Sequence, residues 1–216
     1  MVNRVMDRLI QANGLEHVPW EVNVIQSDQM NAFVIPGGKV FVYSGILKVA
    51  ETDDQLATIL GHEIAHTLAR HSAERLSSYV IMIAPIQILI TILDYMGLTY
   101  GIGRLVGQVL LDLGVTRPAS RVQESEADYI GLMMMARSCY DPQAAVEVWN
   151  RMEQVNKEEM PEWMSTHPSH VNRAAKITEW LTKAEDARDS SDCAPTLGYQ
   201  RQFKSAMGQL RDLYGV

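Results

Sequence analysis

Five consecutive residues, His62-Glu63-Ile64-Ala65-His66, have the types and spacing to do chemistry. On an α-helix each residue turns ~100°, so side chains four positions apart lie ~40° from one another on one face. His62 and His66 can therefore offer two imidazoles to one zinc ion, with Glu63 beside them to take a proton from a water that the ion activates. A zinc hydrolase needs a third protein ligand and a position left open to water. Glu124 is the candidate, because it lies four residues before Asp128 on a second helix and both carboxylates face one way. His62, His66 and Glu124 then bind one Zn2+ per chain, and Asp128 accepts the outer ring N–H of a zinc histidine. Glu126 reads as solvated acidic surface. His71 would stand ~140° from His66 on a continuous helix, which makes it a neighbour of the site or a surface residue and not a ligand. His17 and His170 read as structural or exposed.

The elements that must position these residues are legible around them. Thr52-Asp53-Asp54-Gln55 has the form of a capping box, and Leu56, Ile59, Leu60, Ile64 and Leu68 recur at helical spacing. One helix over about 52–78 is predicted. Before it, a short helix over 1–13 stops at Asn13-Gly14, followed by β-prone runs at 21–25, 31–35 and 39–43. Pro36-Gly37-Gly38 suits a tight turn between antiparallel strands. The predicted fold class is α+β, mostly helical, with a small antiparallel sheet packed on the His62 helix. Asn31, Ala32 and Phe33 are either a sheet edge able to pair with an extended substrate peptide or part of a paired inner strand. Ser120-Arg121-Val122-Gln123 forms a second capping-box pattern, opening a helix to about Ser138 whose methionines read as adaptable core packing. Asp141-Pro142 starts a third helix to about 157, a fourth runs over 169–187, and a last amphipathic helix lies near 200–213. Residues 1–195 are read as the catalytic domain and 196–216 as a C-terminal helical appendage.

Between the two ligand-bearing helices, 79–93 contain no charged residue, and a softer glycine-rich stretch continues to 113. A membrane-spanning helix needs ~20 apolar residues, and Pro85 and Gln87 interrupt this run. A core helical hairpin, a lid over the cleft and a membrane-dipping loop are the three readings. The buried or lid readings are favoured over membrane contact, with a mobile cover expected.

The net charge of −7 supplies no basic stripe to neutralise phosphates, which argues against a nucleic-acid partner. Met1 opens directly on a helix without a signal peptide's apolar region, and its short length and acidic Asp7 do not make a transit peptide. The two cysteines, Cys139 and Cys193, are either one disulfide or two reduced thiols. Both lie too far from His62 to belong to the metal site.

Taken together, His62-Glu63-x-x-His66, Glu124-x-x-x-Asp128, Asn31-Ala32-Phe33 with Pro36-Gly37-Gly38, and His167-Pro168 with Arg173 resemble the HtpX-like and CAAX prenyl-protease-type gluzincin zinc metallopeptidases. The similarity covers about residues 20–195 and is closest to the family's mitochondrial inner-membrane branch. It implies a gluzincin-type domain that hydrolyses peptide bonds in membrane-associated or misfolded proteins, including a dynamin-like fusion GTPase, during stress-responsive quality control. It also implies an inner-membrane location with the catalytic domain facing the intermembrane space, where Cys139 and Cys193 could pair. Anchoring is expected through segments outside these residues, and homo-oligomers are possible. A zinc-stabilised module that grips apolar segments without cutting them is the alternative, and intact Glu63 tells against it.

The resemblance places the histidine of the His-Pro pattern, His167, at the active site. Pro168 restricts it to extended conformations. It either donates to the oxyanion, swings onto the open zinc position as a plug, or caps the following helix; the first role is favoured. Arg173 either holds a carboxylate near the site or is exposed.

Overall fold

The computed structural model describes residues 1–98, 107, 109, 117–158 and 173–193. His167, the helix expected near 200–213 and most of the stretch 99–116 lie outside the described residues.

Helix α2, Asp53–Leu68, is the centre of the molecule, and every residue from Gln55 to His66 on it is buried. A helix covered on all sides must find a partner for each polar group it carries inward, because burying an unpaired one costs several kcal/mol. That demand falls on His62, Glu63 and His66. Thr52 caps the helix by accepting from the Gln55 backbone N–H at 3.2 Å. The Gln55 side chain reaches back to the backbone N–H of Glu51, 2.9 Å away, one residue beyond the usual capping-box partner.

The helix expected to run to 78 breaks at Ala69 and Arg70. Arg70 adopts a left-handed conformation with φ 57°, and α3 starts afresh at His71–Ser78. Neither glycine nor proline marks the break. Beyond α3 the chain stays helical through a π-turn, Tyr79–Ile83, into α4, Ala84–Tyr95. The expectation of a core hairpin here is overturned, since no residue of Tyr79–Ile83 or of α4 is buried.

The other helices pack around α2. They are α1 at Val2–Ala12, α5 at Arg117–Arg137, α6 at Gln143–Glu158 and α7 at Arg173–Asp189. Met6 and Leu9 of α1, Leu56, Ile59, Leu60 and Ile64 of α2, Met135 of α5, Met152 of α6 and Ile177 of α7 form the centre of the apolar core. Helix α5 begins three residues before the capping-box pattern at Ser120, with Pro118 in its first turn where a missing N–H costs nothing. Ser120 is therefore not a cap, and Gln123 is buried and donates to Glu74 Oε2 of α3 at 2.8 Å. Asp141 accepts from the Gln143 backbone at 3.1 Å and so caps α6.

The sheet is mixed, not purely antiparallel. Strands β2 (Ala32–Ile35) and β3 (Lys39–Tyr43) form the expected hairpin, with Ala32 opposite Val42 and Ile35 opposite Lys39. Gly37 and Gly38 take φ values of 94° and 81° in its turn, which only glycine adopts freely. Strand β1 (Glu21–Ile25) pairs parallel with β3, giving the order β1-β3-β2. The reason is the connection after β1, which crosses to the far edge so that β3 returns through the middle. The Ser44 hydroxyl holds that connection, donating to the Ser27 carbonyl and accepting from the Ser27 N–H, both at 2.9 Å. Strand β2 is thus an edge, and it packs against α2.

Cys139, in a left-handed conformation with φ 66° just past α5, is disulfide-bonded to Cys193 beyond the end of α7. The bond closes a loop of sequence separation 54 and ties together the two helices that carry Glu124 and Arg173.

Candidate metal centre

Helices α2 and α5 meet at two glycines. A Cβ on Gly131 would stand 2.7 Å from the His62 backbone nitrogen, and one on Gly61 would stand 3.0 Å from the Gly131 carbonyl oxygen. Side chains at either position would push the helices apart. Their absence lets Glu124, two turns before Gly131, reach the histidines of α2.

The reach is close. His62 Nε2 and His66 Nε2 lie 3.0 Å apart. Glu124 Oε2 is 3.4 Å from the first and its Oε1 is 3.4 Å from the second. All three residues are buried, and one donor atom from each lies within 4.8 Å of the others. Two imidazole nitrogens and a carboxylate converging in a buried site make a donor set that a cation can occupy. Two histidines and a glutamate are a donor set suited to zinc. Glu63, the next residue on α2, is buried alongside.

Each histidine is held from behind by a carboxylate, by two different routes. His62 Nδ1 lies 3.1 Å from Asp128 Oδ1. Arg173 in turn grips Asp128 with two bonds, Nε to Oδ2 at 2.6 Å and Nη2 to Oδ1 at 2.7 Å. The guanidinium is stacked 3.7 Å over the Trp149 ring. Its Nη2 is 3.1 Å from both ring nitrogens of His62.

Burial and the Arg173 charge both oppose protonation of His62, but hydrogen bonds to Asp128 and Glu124 outweigh them and lift the metal-free ring to about 9. Burial works against the Asp128 charge, and Arg173 and His62 together more than reverse it, holding that carboxyl below its ordinary value. Desolvation likewise opposes the Arg173 charge, which Asp128 chiefly restores, with Glu124 and Glu63 adding to it. The site is a cluster of opposite charges built from three helices.

The support of His66 is indirect. His71 Nδ1 lies 2.8 Å from His66 Nδ1, and His71 Nε2 lies 3.2 Å from Glu126 Oε2. The left-handed turn at Arg70 brings His71 back over His66 instead of leaving it around a continuous helix. Glu126 is half-exposed but engaged, and is not merely solvated surface. Sequence spacing alone does not show this pair, because it depends on the helix break. Trp149 carried no signal at all.

Asn31, Ala32 and Phe33 stand at and beside the start of the edge strand β2, with Asn31 and Ala32 buried. The profile of peptidase family M48 matches residues 1–181. The chain belongs to peptidase family M48.

The comparison with individual proteins agrees. This M48 chain is 42% identical over 194 residues to the mitochondrial metalloendopeptidase OMA1 of Schizosaccharomyces pombe, covering 89% of this chain and 56% of the relative. It is 42% identical over 207 residues to the Saccharomyces cerevisiae protein of that name, covering 92% and 58%. The Bos taurus relative, metalloendopeptidase OMA1, mitochondrial, is 34% identical over 219 residues, covering 91% and 40%. The M48 chain thus spans little more than half the length of the first two relatives.

Proposed function

We propose that this chain is a zinc metalloendopeptidase acting at a mitochondrial membrane. The observation that carries the reading is the convergence of His62, His66 and Glu124, with Glu63 buried beside them on the same helix. A zinc ion held by those three residues supplies a Lewis acid and makes water acidic near neutral pH. The chain's own residues do the rest. Glu63 takes a proton from the attacking water and returns it to the leaving amine. Asp128 with Arg173, and His71 with Glu126, fix the ring orientation and tautomer of the two histidines. An extended substrate peptide adds to the open edge of β2 at Asn31, Ala32 and Phe33, where main-chain bonds present a peptide bond to α2. His167 donates to the developing oxyanion.

The relatives' names support a mitochondrial setting. The resemblance adds the inner membrane, an orientation toward the intermembrane space, and membrane-anchored substrates that include a dynamin-like fusion GTPase. The disulfide agrees with an oxidising compartment.

Cleavage of an unfolded protein such as casein, before chelation, after it and after zinc is restored, tests the activity. Glu63→Gln should keep the fold and the zinc while abolishing cleavage. Cleavage insensitive to chelator, or a fully active Glu63→Gln, would overturn the reading. Zinc binding with no cleavage of any protein would favour a non-proteolytic binding module instead.

A further inference from the structure

The segment following the metal helix is not explained by the site. From His71 to Tyr95 the chain is one helical run of 25 residues with a mean hydropathy of 2.1, and its most apolar stretch is not buried at all. The charge-free part is longer than the strongly apolar 79–93. It extends from Leu76 to Leu93, eighteen residues between Arg75 and Asp94. At ~1.5 Å per residue this is ~27 Å, against a bilayer hydrocarbon core of ~30 Å.

A protein groove would be matched by a single apolar stripe. Here Tyr79, Val80, Ile81 and Met82 are exposed in succession, followed by Ile88 and Leu89. Four consecutive positions take up most of a helical turn, so the surface is apolar most of the way round. The polar groups are managed as lipid requires. Thr91 Oγ1 donates to the Gln87 carbonyl of its own helix at 2.8 Å, and the Tyr79 hydroxyl donates to Gln87 Oε1 at 3.5 Å. Tyrosines stand near both ends, Tyr79 and the 93% exposed Tyr95, as in the aromatic belts of membrane proteins.

We infer that Leu76–Leu93, the charge-free part of this run, inserts into a lipid bilayer and holds the metal centre just above its surface. His71, at the root of the arm, touches His66, and Leu76 lies five residues further, ~8 Å of helical rise. The metal centre therefore stands on the order of 10–15 Å from the lipid. At ~3.3 Å per extended residue, the peptide bonds it reaches lie roughly three to five residues outside the bilayer. This sets the substrate class as the membrane-flanking segments of anchored proteins. The statement about substrates rests on the protease reading, whereas insertion does not.

Flotation of the 216-residue chain with phosphatidylcholine vesicles tests insertion without any need for catalysis. The native chain should float with the vesicles. Ile81→Asp/Ile88→Asp, at exposed positions, should keep its circular dichroism and zinc while partitioning at least about tenfold less. If the aspartates unfold the chain, Ile88→Cys replaces them, since no free cysteine competes among the described residues. A water-soluble maleimide should label that cysteine in buffer and not in the presence of vesicles. A native chain left in the lipid-free fraction overturns the inference, as does equal flotation of the aspartate variant or equal labelling with and without vesicles. An oligomer in buffer that the aspartates dissolve, with no flotation, would assign this surface to a second copy. For the substrate class, vesicle-anchored peptides with the cleavable segment at increasing distance should be cut less beyond about ten residues. Cleavage independent of distance would overturn that part. Flotation with no cleavage of any substrate would refute the protease reading and leave insertion supported.

Discussion

His71 Nδ1 lies 2.8 Å from His66 Nδ1, and this contact couples the tautomers of the two rings. With a neutral His71 donating from Nε2 to Glu126, His71 Nδ1 is the acceptor and His66 donates from its own Nδ1. His66 Nε2 is then left as a lone pair aimed at His62 and Glu124. His71→Ala should weaken zinc binding by ~10–100-fold with the fold retained, and Glu126→Gln should do so less because that carboxylate is half-exposed. Competition with a chromophoric chelator measures both. Unchanged affinity in His71→Ala would remove the relay from the account.

On the opposite side, Arg173 binds Asp128, His62 and Trp149 together. Arg173→Met leaves a buried carboxylate without its cation and should destabilise the fold by ~3–5 kcal/mol. Arg173→Lys should fail to restore stability, because an ammonium neither forks onto two carboxylate oxygens nor stacks flat on an indole. Asp128→Asn should lower zinc affinity by ~10–100-fold. Chemical denaturation and zinc titration separate these effects, and a stable Arg173→Lys would contradict the geometry.

The raised value of His62, about 9 against an ordinary 6.5, sets a pH dependence in metal-stripped protein. The folded state binds that proton more tightly than the unfolded state does. Its contribution to stability is therefore complete below pH 6.5 and is lost as pH rises through 9. Zinc must displace the same proton, so affinity should climb over that window and binding at neutral pH should release about one proton from this ring. Calorimetry in buffers of different ionisation enthalpy counts it. Release near zero would show that His62 is already neutral.

Gly131→Ala places a methyl group against the His62 backbone, where no flexible atom can yield. Separation of α2 and α5 should cost ~1–3 kcal/mol and draw Glu124 away from the histidines. Loss of zinc accompanied by only modest loss of thermal stability is the expected signature. A variant with native zinc affinity would mean that the crossing tolerates a Cβ.

His167→Ala should retain zinc and slow turnover by ~10²–10³-fold if the ring stabilises the oxyanion. Steady-state cleavage measures it. Basal cleavage faster than in the native chain would identify His167 as a plug on the metal.

Local spacing was enough to read much of this protein. A capped helix with His62 and His66 four apart, a second helix with Glu124 and Asp128 four apart, and a glycine turn between β2 and β3 are all properties of short segments. Helical and hairpin geometry follows from neighbours in the chain, so these features can be read without knowing what packs against them. The tertiary structure decided everything that depended on distant partners. The left-handed turn at Arg70 has no local signal, yet it delivers His71 to His66 and points the apolar arm away from the core. The parallel pairing of β1 depends on which side of β3 its connection passes. Arg173 looked equally like surface until α5, α6 and α7 closed Asp128 and Trp149 around it. Cys139 and Cys193 were paired by the same packing, because only the fold sets the distance between the ends of two helices.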